Sequence, residues 1–399
     1  MPARPLVADE RLARIKEPVG SSNATYPSIS RAMKYFLRPV ILAVLTPTIF
    51  AQSHDLFPRG ANRLDFETDG LFSGDIDVIS SKLGFEQVRG SWNFSGSVGQ
   101  THHRVEYTPT FVTSAATRRE GAQSFDLQIE KTINPYLTLT GSLASSQGYT
   151  DHRSIWISEY YDQLNGLNPA YREADPESFS GSLGLQWNYD PGNSFVSVTF
   201  SQADTVIVPG WETEFDEMTG DSFLFSTNDT LRTFSGTAIW NAVVNSRMRA
   251  QQTLRIGRTQ SRKIRTRFQS ELSYAVTNDL TVRLQLGGAH EDPSFIARYG
   301  GLGVVYELNP QWQVSLNYRY YEDTGEVNTS NFNTSAPAIA TREISAGLRW
   351  SNGNTSVLGS VGYYGIDYES VAGTGNVFFS RLYQDRDFTA VRLAVSHKF

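Results

Sequence analysis

The sequence contains no cysteine. That excludes a thiolate metal site, a disulfide framework and a cysteine nucleophile. It also lacks any run of roughly 20 consecutive apolar residues, the length a helix needs to cross a bilayer. Hydrophobic residues make up only 39% of the chain, so a bundle of spanning helices is out of reach. Basic charge is in deficit: 35 Lys and Arg stand against 41 Asp and Glu, a formal net charge of −6. The first 51 residues are net basic, so the rest is more acidic than the whole. That balance excludes nucleic acid as a natural partner.

What the chain has in quantity is aromatic and turn-forming residues: 19 Tyr, 23 Phe and 32 Gly in 399 residues. The mixture suits half-buried strands separated by many turns. The length exceeds one ordinary soluble core but fits one large barrel.

Near the N-terminus, Arg31, Lys34 and Arg38 precede an apolar run from Val40 to Phe50, and Ala51 ends the segment before Gln52. A positive region, a short apolar region and a small residue at the cut make a Sec-type signal peptide. The expected division is therefore 1–32 as an extension ahead of the true start at Met33, 33–51 as signal peptide, 52–73 as a periplasmic lead-in and 74–399 as the barrel. Ile49 is larger than the residue usual at its position before the cut.

Period two dominates the remainder. In 311–321, Trp312, Val314, Leu316, Tyr318 and Tyr320 alternate with Gln311, Gln313, Ser315, Asn317 and Arg319. Successive strand side chains face opposite sides, so one face is apolar and the other polar. The same pattern runs through 179–189, 264–276 and 280–290. Tight-turn signals at Asn134-Pro135, 190–193, Asn245-Ser246, 277–279, Asn309-Pro310 and 352–354 alternate with longer connections near 114–122, 146–177, 204–230, 322–340 and 367–386. Such alternation of short and long connections is the pattern of outer-membrane barrels. The last segment ends on Phe399 with Leu393 and Val395 in its phase, resembling the C-terminal signal read by the outer-membrane assembly machinery.

Counting back from Phe399 gives strands near 387–399, 354–366, 341–351, 311–321, 296–308, 280–290, 264–276 and 247–258. The count continues with 231–243, 194–203, 179–189, 136–145, 123–133, 103–113, 91–99 and 74–87. The expected fold is an all-β, transmembrane antiparallel up-and-down barrel of about 16 strands; reading the weakly alternating first three differently gives 14. From about Leu231 to Tyr321, and especially in RKIRTRFQSELSYAV and LNPQWQVSLNYRYYEDTG, the chain resembles uncharacterised predicted-porin families of Gram-negative envelopes. The resemblance implies location and fold and transfers no catalytic residue.

With the apolar face towards lipid, nine arginines fall on the lumen phase: Arg247, Arg249, Arg255, Arg265, Arg267, Arg283, Arg319, Arg349 and Arg392. A guanidinium on the lipid face would cost about 2–4 kcal/mol at mid-bilayer, which sends them inward. They form either a basic wall that attracts anions or merely a solvated interior. An acidic loop carries Glu212, Glu214, Asp216, Glu217 and Asp221, and the connection 146–177 is aromatic and net acidic. Either folds in to face the arginines, or stays at the surface, where divalent cations would bridge it to lipopolysaccharide phosphates.

No cofactor or metal site is indicated. Asp151-His152 and His290-Glu291-Asp292 lie near the expected outer rim, but no serine stands in a recognisable motif with either, so no enzymatic activity is expected. Two functions fit: a diffusion channel for small polar or anionic solutes, and a non-transporting surface protein, an adhesin or scaffold with binding loops. The expected partners are outer-membrane lipid and lipopolysaccharide, the assembly machinery, and small solutes.

Overall fold

Alternating residues pair into long antiparallel ladders throughout the chain. The computed structural model describes residues 62–107, 116–153, 155, 176–215, 222–260, 263–292, 295–325, 327–328, 334–335, 337–369 and 383–399, with backbone only for 107, 116, 207–215, 222–229, 327–328 and 334–335. The strands are β1 (Arg63–Phe72), β2 (Ile76–Arg89), β3 (Trp92–Tyr107), β4 (Ala116–Asn134), β5 (Leu137–Gly148), β6 (Glu177–Asp190), β7 (Ser194–Phe215), β8 (Ser222–Asn245) and β9 (Met248–Thr259). They continue as β10 (Ile264–Ala275), β11 (Leu280–Glu291), β12 (Phe295–Asn309), β13 (Trp312–Asp323), β14 (Val327–Asn328), β15 (Thr334–Ser335), β16 (Ile339–Ser351), β17 (Thr355–Tyr368) and β18 (Arg386–Lys398).

Sixteen of these close into one barrel, with β14 and β15 a separate small hairpin in the connection between β13 and β16. Each barrel strand pairs with its predecessor and its successor in the barrel, and β18 returns to β1 with Arg63 opposite Lys398. Closure leaves no unpaired edge, as a sheet in hydrocarbon requires.

The expected strand number holds, but two of the expected strands do not. The segment 91–99 and the described part of 103–113 are one strand, β3, which runs unbroken through Gly99 and Thr101 to Tyr107; residues 108–113 lie outside the described residues. The expected lead-in 52–73 contains β1, so the barrel begins at Arg63 and not at residue 74. In β1, Leu64 and Phe66 take the outer phase while Arg63, Asp65, Glu67 and Asp69 take the inner. Residues 1–61, including the proposed extension and signal peptide, lie outside the described residues.

The outer face is apolar and bare: Leu183 is 74% exposed, Phe200 69% and Leu143 50%. This face meets lipid. At one end, β2–β3, β4–β5, β6–β7, β8–β9, β10–β11, β12–β13 and β16–β17 are joined by the short turns 90–91, 135–136, 191–193, 246–247, 276–279, 310–311 and 352–354. Trp92, Trp187, Trp240, Trp312 and Trp350 all stand on strand segments near those turns. Amphipathic rings gather where hydrocarbon gives way to headgroups, so this end marks one membrane interface. At the other end, the connections 108–115, 149–176, 324–338 and 369–385 are longer.

Two expected connections are largely strand. Most of 114–122 belongs to β4, which begins at Ala116; the other is 204–230. β7 continues to Phe215 and β8 starts at Ser222, so Glu212 and Glu214 are ladder residues opposite Phe225 and Phe223, not members of a loop. The register slips between Ile207 and Gly210, around Pro209, which has no N–H to give to a ladder. That Pro-Gly break imitates a loop in the sequence. Asp216, Glu217 and Asp221 lie outside the described residues.

Candidate functional site: the barrel interior

The inner phase is polar, and its charges are unevenly distributed. Arg249 and Arg255 on β9, Arg265 and Arg267 on β10, Arg283 on β11, Arg319 on β13, Arg349 on β16 and Arg392 on β18 all take the face opposite the lipid-facing apolar residues. Arg247 does not. It sits in the turn between β8 and β9, where its N–H bonds to Asn245 Oδ1 at 2.9 Å. β9 begins one residue later than expected, at Met248.

Several of the wall arginines are neutralised. Arg265 Nε lies 2.8 Å from Glu291, and its guanidinium is 4.1 Å from the Phe295 ring centre. Arg319 Nη1 lies 3.5 Å from Glu343. Arg392 pairs with Glu67, and with Asp69 at 3.5 Å. Arg349 is held in another way, its Nε donating to Ser356 Oγ at 2.9 Å.

Three others bond to uncharged groups. Arg249 donates to Asn241 Oδ1 at 2.9 Å, Arg255 to Ser235 Oγ at 3.2 Å, and Arg267 to the Tyr299 hydroxyl at 3.0 Å. Arg255 and Arg267 are directly opposed across the β9–β10 ladder. Tyr299 reaches Arg267 because its ring lies over Gly287, where a Cβ would meet it at 2.3 Å. Its hydroxyl also donates to Gln269 Oε1 at 3.1 Å.

The second feature is a segment that enters the barrel. At the end of β5, Gly148 adopts φ 93°, and a Cβ there would lie 2.3 Å from the Gly121 carbonyl oxygen. Only glycine lets the chain turn at this point. Tyr149, Asp151 and Ile155 are then buried. Asp151 accepts the Arg153 N–H at 2.8 Å, capping a helical turn, and the two side chains form a doubly bonded ion pair, Nη2 to Oδ2 2.6 Å and Nε to Oδ1 3.1 Å. The His152 ring centre is 6.4 Å from that of Phe388, which is 6.1 Å from that of Tyr364. Phe388 is on β18, the fifth strand round the wall from β5. The segment therefore crosses the interior near the end with long connections.

Its electrostatics follow from burial. Burial pushes His152 down to about 3, against the pull of Asp151 and with the push of Arg153 and Arg386. Burial acts to raise Asp151, but Arg153 and His152 outweigh it and hold the carboxyl well below the usual carboxylate range. The connection 146–177 thus sends its first residues inward, towards β3, β17 and β18 and not towards the arginines of β9 and β10. Trp156, Tyr160, Tyr161 and Tyr171 lie outside the described residues. Sequence periodicity carries no signal for this packing. The Gly148 hinge followed by Tyr149, Asp151 and His152 was the only local hint.

His290 and Asp292 are exposed together at the rim, 3.1 Å apart. Leu393 and Val395 face outward on β18, and Phe399, 70% exposed, donates its N–H to the Asn62 carbonyl at 3.1 Å. Among the described residues no cluster of His, Asp or Glu is arranged to hold a metal ion.

No family model and no curated protein matches the chain. Solved structures do. CdiB from Acinetobacter baumannii superposes with a TM-score of 0.50 at 10% identity, over 85% of this chain and 60% of that one. The Pseudomonas putida toluene transporter TodX gives 0.43 at 12% identity, over 87% and 91%. A bacterial polysaccharide outer membrane secretin gives 0.44 at 8% identity, over 86% and 100%. At such identities the likeness is one of fold. The chain has the fold of outer-membrane β-barrels.

Proposed function

We propose that this barrel is an outer-membrane diffusion channel that favours small polar anions. The observation that carries the reading is the trio Arg249, Arg255 and Arg267, which line neighbouring strands and hydrogen-bond to neutral partners. Sixteen strands enclose more space than their own side chains fill, whereas about eight do not. Within a narrow lumen, fixed charges act over about 8 Å at physiological salt, so uncancelled guanidinium groups bias permeation towards anions.

The remaining elements belong to the same reading. Residues 33–51 direct export and leave a mature chain starting at Gln52, which N-terminal sequencing of the membrane form would identify. Phe399 with its phase mates engages the assembly machinery, and the outer rim meets lipopolysaccharide. Catalysis has no place in it.

The test is single-channel recording from purified protein in a planar bilayer. Discrete conductance steps with a reversal potential on the anion side of a salt gradient are expected. Bilayers that stay silent would favour the second reading, a surface protein that does not transport. The inward segment at Tyr149–Arg153 gives that alternative its footing.

A further inference from the structure

The two halves of the inner wall differ in what covers them. On β17 and β18, Ser356, Leu358, Tyr364, Phe388, Ala394 and Ser396 are all buried, the two serines completely. The segment carrying Asp151 and His152 lies over the upper part of this half, and the Arg392 pairs with Glu67 and Asp69 bridge it to β1. On the opposite half, no inward residue of β9, β10 or β11 is buried. Between these strands and β7 lies β8, whose inward Ser235 and Asn241 are buried beneath Arg255 and Arg249. Beyond it, Ser178 and Ser180 of β6 are buried as well, while Ser182 and Thr199 stay partly exposed and bring no charge.

From this asymmetry we infer that solutes cross off the barrel axis, along β6–β11, and that this path suits small hydroxylated anions. The inference rests on the channel reading above and adds the route and the solute class. An oxyanion, carboxylate or phosphate, meets Arg255 and Arg267, whose planar forks match two-oxygen groups. Arg249 stands six residues below Arg255, about 20 Å along the strand at about 3.4 Å per residue, and gives the anion a second station. Thr253, beside the paired arginines, offers a donor and an acceptor to neighbouring hydroxyl groups, and Gln269 keeps a second N–H and a second lone pair beyond its bonds to Glu271 and Tyr299.

The natural chain has no cysteine, so single cysteines report exposure without background. Thr253→Cys, Ser182→Cys and Ala394→Cys are made in the full chain, checked for heat-modifiable migration, and treated with a negatively charged methanethiosulfonate. Mass spectrometry should show the first two modified at least ten times faster than the third, and the modification should lower conductance. Ser182→Cys keeps the comparison available if Thr253→Cys fails to assemble. Equal rates on the two halves, or faster reaction at position 394, would overturn the route.

The solute class is read from gluconate permeability relative to chloride, which should fall several-fold in Arg255→Ser/Arg267→Ser. An unchanged ratio would overturn it. Absence of any conductance would sink the channel reading itself, while the labelling rates, which need no current, would still decide which half is open.

Discussion

Arg255 and Arg267 face each other across the β9–β10 ladder with hydrogen bonds to Ser235 and Tyr299 and no carboxylate between them. Like charges directly opposed on a sheet are destabilising. A barrel that needed only to fold would gain by losing one. Arg255→Gln is therefore expected to raise the midpoint of thermal unfolding slightly while moving the reversal potential towards cations. Leu284→Arg, on the lipid face where Leu284 is 42% exposed, should do the opposite. It should cost about 2–4 kcal/mol of folding and leave selectivity unchanged in the protein that inserts. A loss of stability from Arg255→Gln with unaltered selectivity would show that the pair is structural.

Acid should loosen the inward segment. His152 is held neutral down to about pH 3 inside the barrel, while an undocked histidine takes up a proton near 6.5. The undocked state thus binds more protons between those values, and docking, complete above about 6.5, weakens as pH falls. Asp151 adds to the loss only at still lower pH, because its depressed carboxyl stays ionised until then. Limited proteolysis of residues 149–155 is expected to quicken steadily from pH 7 to pH 4, with larger conductance over the same range. His152→Phe, apolar and fitted to the Phe388 contact, should make both profiles shallower, the remainder coming from the buried His103 on β3.

Gly287→Ala tests how Tyr299 is held. The new methyl would stand 2.3 Å from the ring, so the ring must swing away and release Arg267 and Gln269. Overpacking of this kind costs about 1–3 kcal/mol, visible as a lower temperature of heat-modifiable unfolding. Tyr299→Leu should lose the same hydrogen bonds with less strain and fall between the two.

Deleting Phe399 should slow assembly more than it weakens the finished barrel. The residue adds one hydrogen bond to the seam, N–H to Asn62 at 3.1 Å, and its ring projects outward. Pulse-chase folding in cells would show unassembled protein accumulating. Folding into detergent without the assembly machinery should change little.

Where alternation was strong the barrel was readable: β6, β10, β11, β13 and β18 lie within two residues of the expected limits. The agreement on strand number hid two compensating errors, at β1 and β3. β1 escaped notice because one of its two partners is β18, more than 300 residues away, and its inner phase, Asp65, Glu67 and Asp69, reads as solvated chain. That most of these arginines share the face opposite the apolar one was legible as a phase, since a charge is costly in lipid. Which of them stay uncancelled was not, because each ion pair joins different strands whose register the sequence does not print. The inward segment was least legible. Asp151, His152 and Arg153 look like surface residues until Gly148 turns them against Phe388 and Tyr364.

The hydrogen bond between Phe399 and Asn62 brings the two ends of the barrel within contact of each other. The described chain is thus a nearly closed ring, and its order of strands has no structural beginning. A short linker from Phe399 to Asn62 would let new termini be opened at a tight turn, such as Ser246-Arg247, with every ladder kept. Such a permuted barrel would separate two properties that coincide in β18: following every other barrel strand in the sequence, and being the strand that zips the cylinder shut against β1.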